Sequence, residues 1–488
     1  MNRLFTRLAP VALALVMIIM LGSCSKSGDM EALLKTVPAD AALVASFNAD
    51  EVLDQLDYKQ EGDHATYCKE LGQIIEAAGM DRKVLNMVTD GIDLTDKVMV
   101  AFAKGNTFYV TFSVKDADNF KKWYAGVSDE ELEDEGDGFF SGNAGRIMLK
   151  DNQVWASSEK IQVSALEEML SLSGDDSFAG KYSAMAGKMC DKSNYGCAFL
   201  NIDESISLIR KSGGASEAAQ MQLALGMLFK DADHLSLVAT LASDKVTGEL
   251  TVLNAKGEPA EFLIPMGKIN TGAMNKVNSD AAFVAAIDFS PELMSKLQAL
   301  KTQYAANLSG TDALVADMLL NLSGTTAFSF NGPLDYIVSV GMKNADAATG
   351  LGKFLSSSGT MPVKVSAADK FLIIRSAENV KSGGNAPKSF SGNFFGLYMD
   401  FENPAIKQLV PMNMSGMGNM TLTLGPDGKG VMLRSEWVVK DPVKTSLKLY
   451  SDWYTQMSAP AVVTATQLDA YSRSAEEFEL EPDSDIYY

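Results

Sequence analysis

The stretch VPADAALVASFNADEVL, Val37 to Leu53, holds an alternating strand, a polar break and a helix start in one short run. The same design returns at NSDAAFVAAIDFSPEL, Asn278 to Leu293, which aligns with Pro38 to Leu53 without a gap. In the first copy Asp50 is the expected helix cap; in the second Ser290 caps, and Pro291 takes the first helical position, where its missing N–H costs nothing. Two further segments share the plan. AFLNIDESISLI (Ala198 to Ile209) has Asp203 as its expected cap, and GLYMDFENPAIKQL (Gly396 to Leu409) has Asn403 before Pro404.

The segments downstream of these starts also pair up. KVMVAFAKGNTFYVTFSVKDADNF turns at Gly105-Asn106, and TTAFSFNGPLDYIVSVGMKNADAATGL at Asn331-Gly332. Each leads into a helix start, and each is succeeded by a second hairpin, turning at Asp151-Asn152 and near Asp369. The other two starts each precede one long hairpin, HLSLVATLASDKVTGELTVL and NMTLTLGPDGKGVMLRSEWVV.

The order is therefore A, B, A′, B′, an internal duplication. Serial hairpins with one helix per start predict an α+β fold: antiparallel sheets with helices packed on one face. The first half spans 37–265 (A 37–175, B 181–256) and the second 270–460 (A′ 277–380, B′ 389–458). SGDDSFAG and SGGNAPKS read as the joints between A and B in each half. Residues 470–488 form an acidic tail whose last stretch, AEEFELEPDSDIYY, has six carboxylates and no basic residue, a composition expected to stay disordered.

The N-terminus is a targeting segment. Arg3 and Arg7 precede an apolar run, Leu8 to Met20, and then Leu21-Gly22-Ser23-Cys24, which resembles a bacterial lipobox. The run is short for a bilayer span of roughly 20 residues. Residues 1–23 are thus the expected signal peptide, Cys24 the expected lipidation site, and 24–36 a tether. Ser25 after the cysteine favours the outer membrane by resemblance to lipoprotein sorting rules. The partner implied is the membrane, held through lipid on Cys24. A net charge of −20 repels phosphate backbones and argues against nucleic-acid binding.

Of the other cysteines, Cys190 and Cys197 flank DKSNYG, a loop short enough to close a disulfide in an oxidising envelope or to leave two buried thiols. Cys68 has no evident sequence partner. The chemistry-bearing residues are sparse. His64 and His234 stand far apart and read as surface positions, which leaves no zinc-ligand or triad pattern. GPDGKG at Gly425 lacks the spacer and hydroxyl of a phosphate loop and falls at a hairpin tip.

DEELEDEGDGFF (Asp129 to Phe140) clusters carboxylates as calcium sites do, yet an EF-hand register from Glu133 puts Ala144 where a bidentate Glu belongs, so it reads as a solvated loop. Met412, Met414, Met417 and Met420 offer soft thioethers for copper(I), although Met also fills irregular cores, the reading adopted. No catalytic residue, metal site or cofactor is assigned.

The lipobox, the PADAA strand opening and the A-B-A′-B′ plan together resemble a lipoprotein family of Bacteroidetes whose members carry a domain of unknown function over nearly the whole mature chain. That resemblance implies an envelope location and brings no catalytic residues. The sequence therefore points to a lipid-anchored, non-enzymatic envelope protein acting as an interaction or structural module, with its long hairpins offering edges for strand addition. The alternative is a ligand-binding lipoprotein that captures a glycan, lipid or metal in a cleft between the halves. The envelope partner or surface ligand is not specified by sequence.

Overall fold

The computed structural model describes residues 30–458 except 49–53, 62–63, 70–71, 73–97, 115–116, 129–131, 143–144, 151, 159–160, 271, 305–319, 333, 358–362, 378–379, 385–386, 410–412 and 442. The expected signal peptide, Cys24, Asp50, Met412 and the acidic tail lie outside the described residues.

In chain order the first half comprises α1 (Met30–Lys35), β1 (Leu43–Asn48), β2 (Lys59–Glu61), β3 (His64–Thr66), β4 (Val98–Lys104), β5 (Thr107–Ser113) and α2 (Ala117–Ser128). Then come β6 (Glu133–Gly136), β7 (Phe139–Gly142), β8 (Gly145–Lys150), β9 (Gln153–Ser157), α3 (Val163–Leu170), α4 (Phe178–Lys181) and α5 (Ser183–Cys190). β10 (Asn194–Asn201), α6 (Ile202–Lys211), α7 (Ala215–Leu228), β11 (Phe229–Lys230), β12 (His234–Ala242), β13 (Lys245–Leu253) and β14 (Glu261–Phe262) complete it. The second half has β15 (Phe283–Phe289), α8 (Pro291–Tyr304), β16 (Gly324–Gly332), β17 (Asp335–Gly341), α9 (Ala345–Ser357), β18 (Lys364–Ala368) and β19 (Phe371–Arg375). It ends with β20 (Phe395–Asp400), α10 (Pro404–Leu409), β21 (Asn419–Asp427), β22 (Gly430–Val438) and α11 (Ser446–Ser458).

The fold is mixed α+β around one 18-stranded antiparallel sheet. Its spatial order is β6-β7-β8-β9-β5-β4-β1-β10-β12-β13, then β22-β21-β20-β15-β16-β17-β19-β18. The opening strand of each half lies between its first hairpin and its later strands: Leu43 faces Ala103 and Leu200, as Phe283 faces Phe330 and Met399. The halves join strand to strand, β13 against β22, from Lys245↔Val438 to Thr251↔Met432. The long hairpins expected to offer free edges are therefore the interior of the sheet. Among the described residues its edges are β6 and β18.

Helices cover both faces, not one, because outer strands such as β4 are apolar on both sides. Val100 and Phe102 pack under α1, α3, α4 and α5 with Leu33, Leu166, Phe178 and Met185. Met99 and Ala101 face the opposite way, into a core with Phe120 of α2 and Leu447 of α11. The second half repeats this with Val284, Ala286 and Phe390 on one side and Met342, Ala348 and Leu372 beneath α9 on the other.

The A–B joint SGDDSFAG is structured. Ser177 caps α4 by accepting from Gly180 N, Phe178 is wholly buried, and its N–H donates to Val37 O at 2.7 Å. A and B thus share one sheet and one core. Among the caps, Ser290 accepts from Leu293 N at 3.0 Å and Asn403 from Ala405 N at 3.0 Å. Asp203 does not cap. α6 starts two residues earlier than such a cap implies, at Ile202, and Asn201 accepts from Glu204 N at 3.1 Å. β16 runs on through Gly332, so its hairpin reverses beyond the expected Asn331-Gly332.

Two connections cross the seam in opposite directions. After β13 the chain passes to the second half, with Phe262 N donating to Lys429 O and Ile269 N to Asn393 O, and Met274 enters that half's core. Gly430 accommodates this passage: a Cβ there would lie 2.6 Å from Ala260 O. After β22 the chain returns, with Ser446 N donating to Ser243 O and Ser446 Oγ to Gln55 Oε1 at 2.9 Å.

Candidate functional site

At the seam the sheet changes character. Leu237, Leu250, Leu433, Leu424, Phe395 and Ile287 stand side by side on six consecutive strands, all on the face that carries α2, α6, α7, α9 and α11. None is fully buried, and Leu237 is 42% exposed. The next row, Ala239, Gly248, Ser435, Leu422, Leu397 and Ala285, is half-buried as well. On β15 and β20 the opposite face packs into the second half's core, but at the seam it is polar. Arg434 Nη2 pairs with Glu249 at 2.7 Å, Lys245 with Glu436 at 3.3 Å, and Thr240 with Thr247. Strict alternation on β12, β13, β21 and β22 thus yields one ionic face and one apolar face. Covering an apolar side chain is worth about 1.5–3 kcal/mol when complete, so the apolar row retains unrealised burial energy.

Beside this row, α6 and α7 pack on Leu235, Val252 and Ala260. Ala218, Met221 and Leu225 of α7 turn inward, while Leu223 and Met227 are 66% and 64% exposed on its outer side. Leu263, partly exposed, adjoins the tip of the helix through its N–H to Leu228 O at 2.8 Å.

On the other face, α1 meets α4 and α5 along an open cleft of ≈ 500 Å³ lined by Glu31, Lys35, Leu172, Ala186 and Cys190 among others. Below it sits a buried aromatic cluster. His234 is 1% exposed, with its ring against Tyr182 and Phe199 and its Nδ1 2.9 Å from Asp233 Oδ2. Burial lowers the His234 pKa, opposed by Asp233. The expected surface placement is overturned because α4 and α5 close over the start of β12. His64 lies in the small β2–β3 hairpin.

Cys190 and Cys197 are not joined in a disulfide. Cys190 is exposed at the end of α5, whereas Cys197 is buried on β10 under that helix, its Sγ 3.6 Å from Lys188 O. Burial pushes the Cys197 thiol up to about 11. The acidic stretch is only partly a loop. Glu133 to Gly136 form the exposed edge strand β6, Glu135 pairs with Arg146 at 2.8 Å, and Phe139 and Phe140 are buried. Met414 and Met417 are core side chains, and Met417 O accepts from Trp437 Nε1 at 2.7 Å. GPDGKG forms the β21–β22 tip.

Among the described residues, no three His, Cys, Asp or Glu side chains gather as a metal site, and no helix is long and apolar enough to cross a membrane. The apolar seam escaped sequence reasoning because its residues read as ordinary core positions. The strand alternation was visible; which strands would meet across the halves was not.

No protein-family model matches the chain, and no curated protein matches it in sequence. Among solved structures, crystal form I of the protein TP0453 aligns over 49% of this chain and 80% of its own, at 10% identity and a TM-score of 0.25. Crystal forms III and IV of the same protein align over 45% and 79%, at 9% identity and the same score. A TM-score of 0.25 is too low to carry fold or function from that protein to this chain.

Proposed function

We propose that the chain is a lipid-anchored, non-catalytic envelope protein, attached through Cys24 and built by internal duplication, whose seam docks an apolar partner surface. The observation that carries it is the in-register row Leu237, Leu250, Leu433, Leu424, Phe395 and Ile287, not fully buried on one face, while the reverse face carries ion pairs where β13 meets β22. Such a one-sided surface suits a broad contact.

Support for the duplication comes from the matched neighbours of β1 and β15 and from the antiparallel meeting of β13 with β22. The non-catalytic role is supported by how the most reactive side chains are used. His234 is enclosed by rings and paired with Asp233, and Cys197 is buried as a protonated thiol. The alternative of a ligand held between the halves has less support. The halves meet through paired strands, and the ≈ 500 Å³ cleft lies within the first half.

The test is a photo-cross-linking residue at Leu250 or Leu433 in cells, with one at Glu249 on the ionic face as control. A discrete protein adduct from the apolar positions alone is expected. Equal labelling from both faces, or none from either, overturns the docking role.

A further inference from the structure

The two ends of the sheet are finished differently. Among the described residues β6 ends one side with Glu133, Asp134 and Glu135, and its register shifts between Asp134 and Gly136, where Gly136 takes a φ of 84°. Charge and a bulge both keep an edge from pairing further. β18 ends the other side with Lys364, Val365, Ser366, Ala367 and Ala368. It pairs with β19 along its whole length without a register shift, and Lys364 at its start is its one charged residue.

The turn after β18 decides which backbone groups face outward. Only Asp369 and Lys370 separate the strands, with Asp369 at a φ of 53°, so Ala368 and Phe371 are the closing hydrogen-bonded pair. Such pairs recur at every second residue, so Ser366 and Lys364 also point their N–H and C=O groups at β19. Val365 and Ala367 point theirs the other way, where among the described residues no strand meets them. Val365 packs beneath α9 with Ala348 and Leu372, and Ser366 is exposed on the opposite face.

We infer that β18 pairs antiparallel with β18 of a second copy of this chain, about a two-fold axis at Ser366, so that two sheets join edge to edge in a homodimer. In this register Val365 meets Ala367 of the partner subunit, and the two exchange both N–H···O=C bonds; the axis repeats the pair. Lys364 falls opposite Ala368 of the partner subunit, one residue from the partner subunit's Asp369, while Lys370 lies on the β19 side of the turn. No like charges face each other across the junction, and the whole contact stays within β18. Strand addition needs an edge that is open, straight and free of repulsion, and β18 meets those terms as β6 does not. The inference depends neither on the seam nor on Cys24.

The test is sedimentation of the full chain in detergent, joined to cross-linking. A reversible dimer is expected. Ala367→Pro removes an N–H that β19 does not use, and is expected to raise the dissociation constant by about 10-fold. Ser366→Lys sets like charges against each other at the axis and is expected to do the same, should the proline variant misfold. At the axis the two Ser366 backbones form a non-hydrogen-bonded pair with Cα atoms about 4.5 Å apart, within the span of a disulfide. In a Cys190→Ser chain, mild oxidation of Ser366→Cys is therefore expected to give several-fold more linked dimer than Lys364→Cys or Ala368→Cys, whose copies stand about 14 Å apart. A monomer at every concentration, a dimer that both variants leave unchanged, or no excess of linkage at 366 overturns the inference. Linkage of Ser366→Cys to a different protein in place of the dimer overturns it in favour of another chain's strand.

Discussion

His234 sits between Tyr182 and Phe199 with Asp233 at its Nδ1, so its ring is sealed from water in its neutral form. An unfolded histidine titrates near pH 6.5, and burial holds the folded value lower. The unfolded chain therefore takes up the proton first. Its contribution to stability is complete above about pH 6.5 and falls as pH drops below that. Denaturant midpoints measured from pH 7.5 to 5 are expected to fall less steeply for His234→Gln than for the parent chain. Parallel slopes would show that the ring titrates freely. The sequence placed His234 correctly at a strand start but on the surface. The helices that bury it come from residues 178–190, a relation no local pattern encodes.

Element by element, the local signals that were legible are those that act within a few residues. Ser290 and Asn403 cap because their side chains reach N–H groups two or three positions on. The cap at Asn201 was misassigned to Asp203 because Asn, Ile and Asp all precede the same helix pattern, and strand β10 decides how far the extended backbone continues. The acidic segment misled for a similar reason. Pairing with β7 makes a strand of residues whose own composition suits a loop.

Among the described residues β6 is the last strand on its side of the sheet, and Glu133 and Asp134 are exposed there. Charge on an edge opposes strand-to-strand association. Glu133→Thr with Asp134→Val is expected to leave thermal stability within about 1 kcal/mol and to raise concentration-dependent aggregation, read by light scattering. Unchanged scattering would remove that protective role from β6.

For the whole molecule, the antiparallel α+β class and the hairpins were readable, since turn residues and alternation are short-range. That A and B share one sheet was not, because β1 pairs with β4 and β10 at once. The crossed connections extend that union across both halves. The first half's core includes Leu447, a second-half residue that arrives from beyond the seam. One cooperative unfolding transition is expected, with fluorescence and far-ultraviolet circular dichroism coinciding. A protease site placed at residues 266–268 is expected to give two fragments that stay together on gel filtration without denaturant. Separation of the fragments would show that the halves are independent.

The return of α11 to Gln55 also sets a clock. Their contact, Ser446 Oγ to Gln55 Oε1, spans 391 residues of chain. At roughly 5–20 residues per second, synthesis leaves the first core open for about 20–80 s before the helix that closes it exists. During that interval Leu56, Met99 and Phe112 await the side chain of Leu447. The part of the protein made first is completed last, so a growing chain must be kept from premature association until its final helix emerges.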